Sequence, residues 1–98
     1  MIPTWHLYVL ECSDGSFYTG ITTNLDSRVK KHNAGKASKY TRSRLPVRLM
    51  SQVIVGVNRG QALSLESSFK KLKRKDKEKY VELGLTCFLD DLSSNVNS

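Results

Sequence analysis

Cysteine is scarce in this chain: Cys12 and Cys87 are the only two in 98 residues. Far apart in sequence, they offer neither a disulfide framework nor the ligand spacing of a zinc site, and a reducing cytoplasm is the expected compartment. Long apolar runs are missing too. No stretch approaches the roughly 20 residues that span a bilayer, so no membrane partner is expected. The opening "MIPTWHLYV" has no basic segment and no small-residue cleavage site, so no secretory signal is expected either. Acidic residues are few, nine against sixteen Lys and Arg, a formal charge of +7. A small domain with that balance tends to meet a polyanion, nucleic acid before an acidic protein or membrane surface.

A chain of this length buries one core, and there is no internal repeat or linker to divide it. Residues 1–92 read as a single domain and "SSNVNS" (93–98) as a frayed polar tail. Strands are expected near 5–11, 16–22 and 47–56, the last over "VRLMSQVIVG". A first helix follows Asn24 as N-cap and stops at Gly35. A second begins at "NRGQ", where Asn58 and Gln61 resemble a capping box. A third, "KDKEKYVEL", ends at Gly84, and "CFLDDL" forms a short closing turn. The fold class is therefore α+β, a mainly antiparallel three-stranded sheet flanked by helices.

The first two strands enclose "ECSDGSF". A two-residue loop, Asp14-Gly15, would pair Tyr8 with Ile21 and put Tyr8 and Tyr18 on opposite faces. A three-residue loop, Ser13-Asp14-Gly15, with Gly15 left-handed in a G1 bulge, pairs Leu10 with Tyr18 and Tyr8 with Gly20. Patterning chooses between them, since a one-residue slip moves every side chain to the other face. The longer loop gathers Trp5, Leu7, Val9, Phe17, Thr19 and Ile21 on one apolar face. The other face carries His6, Tyr8, Leu10, Tyr18 and the bare Gly20, where a ligand can approach the backbone. Simple aromatic cover of Gly20 by Tyr8 is the competing explanation.

In "NLDSRVKKHNAG", Leu25, Val29 and His32 fall on one helical stripe with Arg28 at its edge. In the next helix, Ala62, Leu65, Phe69 and Leu72 make the buried stripe and Glu66 sits just off it. Tyrosine, arginine, histidine and glutamate together suit hydrolysis of a phosphodiester. That reaction needs an activated water, positive charge on the phosphoryl oxygens and a proton path. One carboxylate can hold Mg²⁺ when waters and substrate phosphate complete the shell. Imidazole titrates near 6.5, whereas a phenol, near 10, needs a metal or Arg28 to lower it.

The ordered set resembles the GIY-YIG nuclease family, over roughly residues 5–80. "HLY" (6–8) stands where the family has GIY, and "YTG" (18–20) where it has YIG. "TTNLDSRVKKH" carries its arginine and, four residues on, its His or Tyr, and "ALSLESSFKKLK" its metal-binding glutamate. The likeness is to the short, single-domain bacterial branch. It implies Tyr8, Tyr18, Arg28 and His32 as catalytic residues and Glu66 as ligand to one Mg²⁺ or Mn²⁺. Two departures stand out. His6 replaces the first glycine, and "KKLKRKDKEK" lacks the asparagine that many relatives place after the metal-binding helix. A lysine there is one substitute as a phosphate contact; an incomplete site is the other reading.

Two basic stretches complete the picture. "KKHNAGKASKYTRSRLPVR" offers Lys36, Lys39, Arg42, Arg44 and Arg48 to phosphates and Tyr40 to a base, contacts that would be sequence-independent and salt-sensitive. "KKLKRKDKEK" reads more simply, at Lys77 and Lys79, as a solvated helix face. Three functional classes follow. The first is a metal-dependent DNA endonuclease selecting structure, since no base-reading element is in view. The second is a nucleic-acid-binding module that keeps the fold without catalysis. The third is an adaptor for an acidic protein.

Overall fold

The computed structural model describes residues 2–96. Its first hairpin is closed by a turn in which the Gly15 amide donates to the Cys12 carbonyl at 2.9 Å and Cys12 donates to Ser16 at 2.8 Å. Gly15 has φ 84°, the left-handed geometry that favours glycine. Asp14 accepts from the Ser16 amide at 3.0 Å and holds the turn. This is the three-residue loop. It sets β1 (Trp5–Glu11) against β2 (Phe17–Thr22) with Leu10 opposite Tyr18 and Tyr8 opposite Gly20, as the hydrophobic pattern requires.

The third strand, β3 (Arg48–Gly56), pairs antiparallel with the other side of β1, giving the order β2-β1-β3. Between β2 and β3 lie α1 (Leu25–Asn33) and a single turn, α2 (Lys39–Arg42). After β3 come α3 (Arg59–Lys70), α4 (Arg74–Leu83) and α5 (Leu85–Val96). Both expected asparagine caps are present: Asn24 accepts from the Ser27 amide at 3.1 Å and Asn58 from the Gln61 amide at 3.0 Å. Each satisfies a helix-end donor worth about 1 kcal/mol.

Central β1 is covered on both sides, and Leu7, Tyr8, Val9 and Leu10 are all fully buried. Leu7 and Val9 pack against Phe69 of α3, Tyr80 of α4, and Leu85 and Phe88 of α5. Tyr8 and Leu10 join Cys12 and Val47 in a second cluster with Tyr18, Leu25, Val29 and Leu45. The tyrosine face is thus a core of its own, and Tyr8 fills the gap at Gly20. A Cβ on Gly20 would lie 2.5 Å from the Tyr8 oxygen.

Two elements differ from expectation. The turn "CFLDDL" is part of the 12-residue α5. Leu85, Phe88, Leu89 and Leu92 recur at helical spacing and pack into the first cluster. The Tyr80 hydroxyl donates to Asp91 at 2.5 Å, joining α4 to α5. This helix takes in positions 93–96 of the expected tail; 97 and 98 lie outside the described residues. The single turn α2 interrupts what reads as a loop, with the Ser38 hydroxyl accepting from the Tyr40 amide at 3.1 Å.

Candidate active site

Capping at Asn24 starts α1 at Leu25 and puts Arg28 and His32, one turn apart, on its inner edge. His32 is fully buried. Its Nε2 lies 3.0 Å from the Tyr8 hydroxyl, and its Nδ1 lies 2.8 Å from Thr41 Oγ1. Thr41 Oγ1 in turn donates to the Ser38 carbonyl at 3.4 Å. One proton arrangement uses every donor in this chain. His32 Nδ1–H donates to Thr41, and the Tyr8 O–H donates to His32 Nε2, an assignment made from the network.

Burial, then the charge on Arg28, lowers the His32 pKa to about 4, so the imidazole is neutral at pH 7. Burial likewise raises the Tyr8 pKa above that of a free phenol, outweighing the Arg28 interaction that lowers it. Arg28 therefore pulls in the expected direction but does not by itself make Tyr8 a phenolate. The Tyr18 ring sits 6.5 Å from Tyr8 and meets His32 edge-on at 5.0 Å between centroids.

Tyr8, Tyr18, Gly20, Arg28, Arg59 and Glu66 line one cavity of about 380 Å³. His32 stands behind Tyr8 and is not part of its wall. Two features bear on what this cavity can hold. Arg28 lines the cavity, and its Nε is buried with no hydrogen-bond partner among the described residues, a desolvation cost. The Glu66 side chain is 18% exposed, and its ion-pair partner, Lys70, stands 3.7 Å away, beyond hydrogen-bond reach. Among the described residues no cluster of three or more His, Cys, Asp or Glu side chains forms a metal cage. One carboxylate facing a cationic cavity does fit a hydrated Mg²⁺ or Mn²⁺ whose shell is completed by water and substrate.

The basic stretch lies apart from this cavity. Lys36, Lys39 and Arg42 line a separate hollow of about 210 Å³ beside Gly35. Arg44 is engaged: it donates to Asp14 at 3.0 Å and to the Tyr40 carbonyl at 2.8 Å, and lies 3.9 Å over the Tyr40 ring. Arg48 donates to Glu11 at 2.8 Å. Tyr40 stacks on Tyr18 at 6.2 Å. Two residues of the site escape sequence reasoning. Thr41 orients His32 from across the fold, which no local pattern signals. Arg59 brings a second guanidinium to the cavity, and its place as first residue after the Asn58 cap is the one available hint.

Residues 4–80 match the model of the GIY-YIG catalytic domain. The chain belongs to the GIY-YIG family. GIY-YIG domains form a class of nucleases that act on nucleic acid and generally use divalent metal ions. The match spans every site residue described above and stops before α5. A UPF0213 protein of Bacillus licheniformis is 51% identical over 77 residues, 79% of this chain and 78% of its own. One from Streptococcus sanguinis is also 51% identical over 77 residues, 79% of this chain and 87% of its own. The solution NMR structure of a UPF0213 protein from Bacillus halodurans superposes with TM-score 0.53 at 45% identity, over 82% of this chain and 84% of that one.

Proposed function

We propose that this GIY-YIG domain is a metal-dependent endonuclease that hydrolyses phosphodiester bonds in DNA, choosing its target by structure. The observation that carries the proposal is the meeting of Tyr8, Tyr18, Arg28 and Glu66 on one cavity. Arg28, which lines the cavity, binds a phosphoryl oxygen through its guanidinium, and Arg59 adds a second guanidinium to the lining. A planar guanidinium suits that task because it is always charged and presents its donors as a fork. The Tyr8 oxygen takes a proton from the attacking water as its own passes to His32 Nε2. Thr41 steadies the other face of the imidazole. Protonated His32 is costly in its buried setting, and the negative charge of a bound phosphoryl group offsets that cost. Tyr18, beside both rings, orders the water or the leaving oxygen.

Glu66 would hold one Mg²⁺ or Mn²⁺, which supplies Lewis-acid polarisation of the phosphoryl group and a more acidic bound water. Lys36, Lys39 and Arg42, with Tyr40 nearby, bind backbone phosphates outside the cavity. Arg44 and Arg48, engaged with carboxylates, chiefly frame that surface. The free thiols of Cys12 and Cys87 fit a reducing cytoplasm.

The test is cleavage of labelled single-stranded, duplex, nicked and branched DNA with Mg²⁺ or Mn²⁺. Arg28→Ala and Glu66→Ala should each lose about 10²–10³ in rate, the scale for removing a preorganised transition-state stabiliser. Wild-type rates in both variants would remove the mechanism. Binding without cleavage by any form would identify a module that keeps the fold alone.

A further inference from the structure

Beyond Tyr18 the catalytic cavity has a neighbour. β2 is an edge strand, and a second hollow, of about 230 Å³, is lined by Phe17, Tyr18, Thr19, Tyr40, Lys70 and Lys77. Tyr18 belongs to both cavities, so the two flank one ring. Lys70 lies one turn beyond Glu66 on α3, 3.7 Å from its carboxylate, so the same helix face that brings the carboxylate to one cavity brings an ammonium to the next. Lys77 reaches it from α4. It is half-buried where its neighbours Lys75 and Lys79 are exposed, which departs from the solvated face expected of this run. Among the described residues Lys77 has no ion-pair partner within reach, whereas Arg74 and Glu78 of the same helix pair with each other at 2.8 Å.

Two ammonium groups against aromatic walls, one of them the Phe17 ring with Arg74 3.7 Å over it, make a cationic hollow with apolar sides. They match the sugar–phosphate chain of a polynucleotide: lysine meets phosphate as a point charge, and rings carry the sugar or base between phosphates. We infer that this hollow is a second phosphate subsite, in which Lys70 and Lys77 hold a phosphodiester next to the scissile one. The inference rests on the nuclease reading and deepens it. A substrate would then run along the free edge of β2, past Tyr18, with one phosphate on Arg28 and the adjoining one on the two lysines. Such a contact fixes the register of the strand without reading its sequence.

The test measures binding, with cleavage blocked by EDTA. A short dye-labelled single-stranded oligodeoxynucleotide is titrated by anisotropy over a range of salt, with folding of each variant checked by circular dichroism. Lys70→Ala and Lys77→Ala should each weaken binding and reduce the slope of log K against log salt by about 0.7, the value for one phosphate contact on a single strand. Lys77→Gln, which keeps most of the side-chain stem, should do the same, and Lys75→Ala should change neither quantity. One neutral methylphosphonate, scanned along the oligonucleotide, should weaken wild-type binding at a position where it costs Lys77→Ala nothing further. A wild-type slope in Lys77→Ala and Lys77→Gln, or an equal loss in Lys75→Ala, overturns the subsite and leaves hydrolysis untouched. Tight, lysine-dependent binding by a protein that never cleaves would sink the nuclease reading and leave the subsite standing. No wild-type binding at low salt would overturn the subsite, and the cleavage panel with Mg²⁺ or Mn²⁺ decides the nuclease reading separately.

Discussion

Tyr8 does two jobs that a sequence reader is inclined to treat as alternatives. Its ring covers Gly20 inside a core, and its hydroxyl is tied to a buried histidine. The first holds the second in place, because a fully buried ring has little room to turn. The same burial makes the stability of the fold depend on pH through His32. Its folded pKa of about 4 lies below the 6.5 of an exposed imidazole. Between those values the unfolded chain holds a proton that the folded chain does not. Stability is therefore fully present above pH 6.5 and declines as pH falls toward 4, by about 3 kcal/mol for this group alone. Urea unfolding at pH 7 and at pH 4.5 should show a larger loss for the wild type than for His32→Gln. Equal losses would mean that His32 is not held neutral by burial.

At the scale of elements, the site is carried by few parts. β1 and β2 present the tyrosines, α1 presents Arg28 and His32, and α3 presents Glu66. Each was legible because its cause is local. A G1-bulge turn sets the hairpin register, asparagine caps set two helix starts, and helical periodicity puts Glu66 beside its buried stripe rather than on it. What was not legible has causes remote in sequence. That the tyrosine face is a core depends on Val47 and Leu45 folding back over it, and the orientation of His32 depends on Thr41 in a single-turn helix. The partners of Arg44 and Arg48 are fixed by which acids the tertiary fold brings near. The extent of α5 lay hidden because its apolar stripe has meaning only beside Phe69 and Tyr80. That helix lies beyond the family match yet seals the Leu7/Val9 core, where Phe88 meets Phe69 at 5.1 Å and Tyr80 at 5.4 Å. Phe88→Ala should cost about 3–5 kcal/mol in urea unfolding. A loss below about 1 kcal/mol would show α5 to be an appendage.

For the whole molecule, charge and shape divide the work. The +7 charge is not spread evenly in effect. Carboxylates engage Arg44, Arg48 and Arg74, while Arg28 Nε is buried with no hydrogen-bond partner among the described residues. Among the described residues no helix is long and apolar enough to cross a membrane. In the proposed mechanism a tyrosine in the core of this small sheet is also a reacting group. Tyr8→Phe addresses it most directly, because the ring stays over Gly20 and only the hydroxyl is lost. Cleavage of the DNA panel by this variant and by the wild type should be measured side by side, with folding confirmed by circular dichroism. The expected result is a folded protein whose rate is lower by about 10² or more, the contribution of a positioned proton-transfer group. A folded Tyr8→Phe that cleaves at the wild-type rate would contradict it and leave Tyr8 as packing alone.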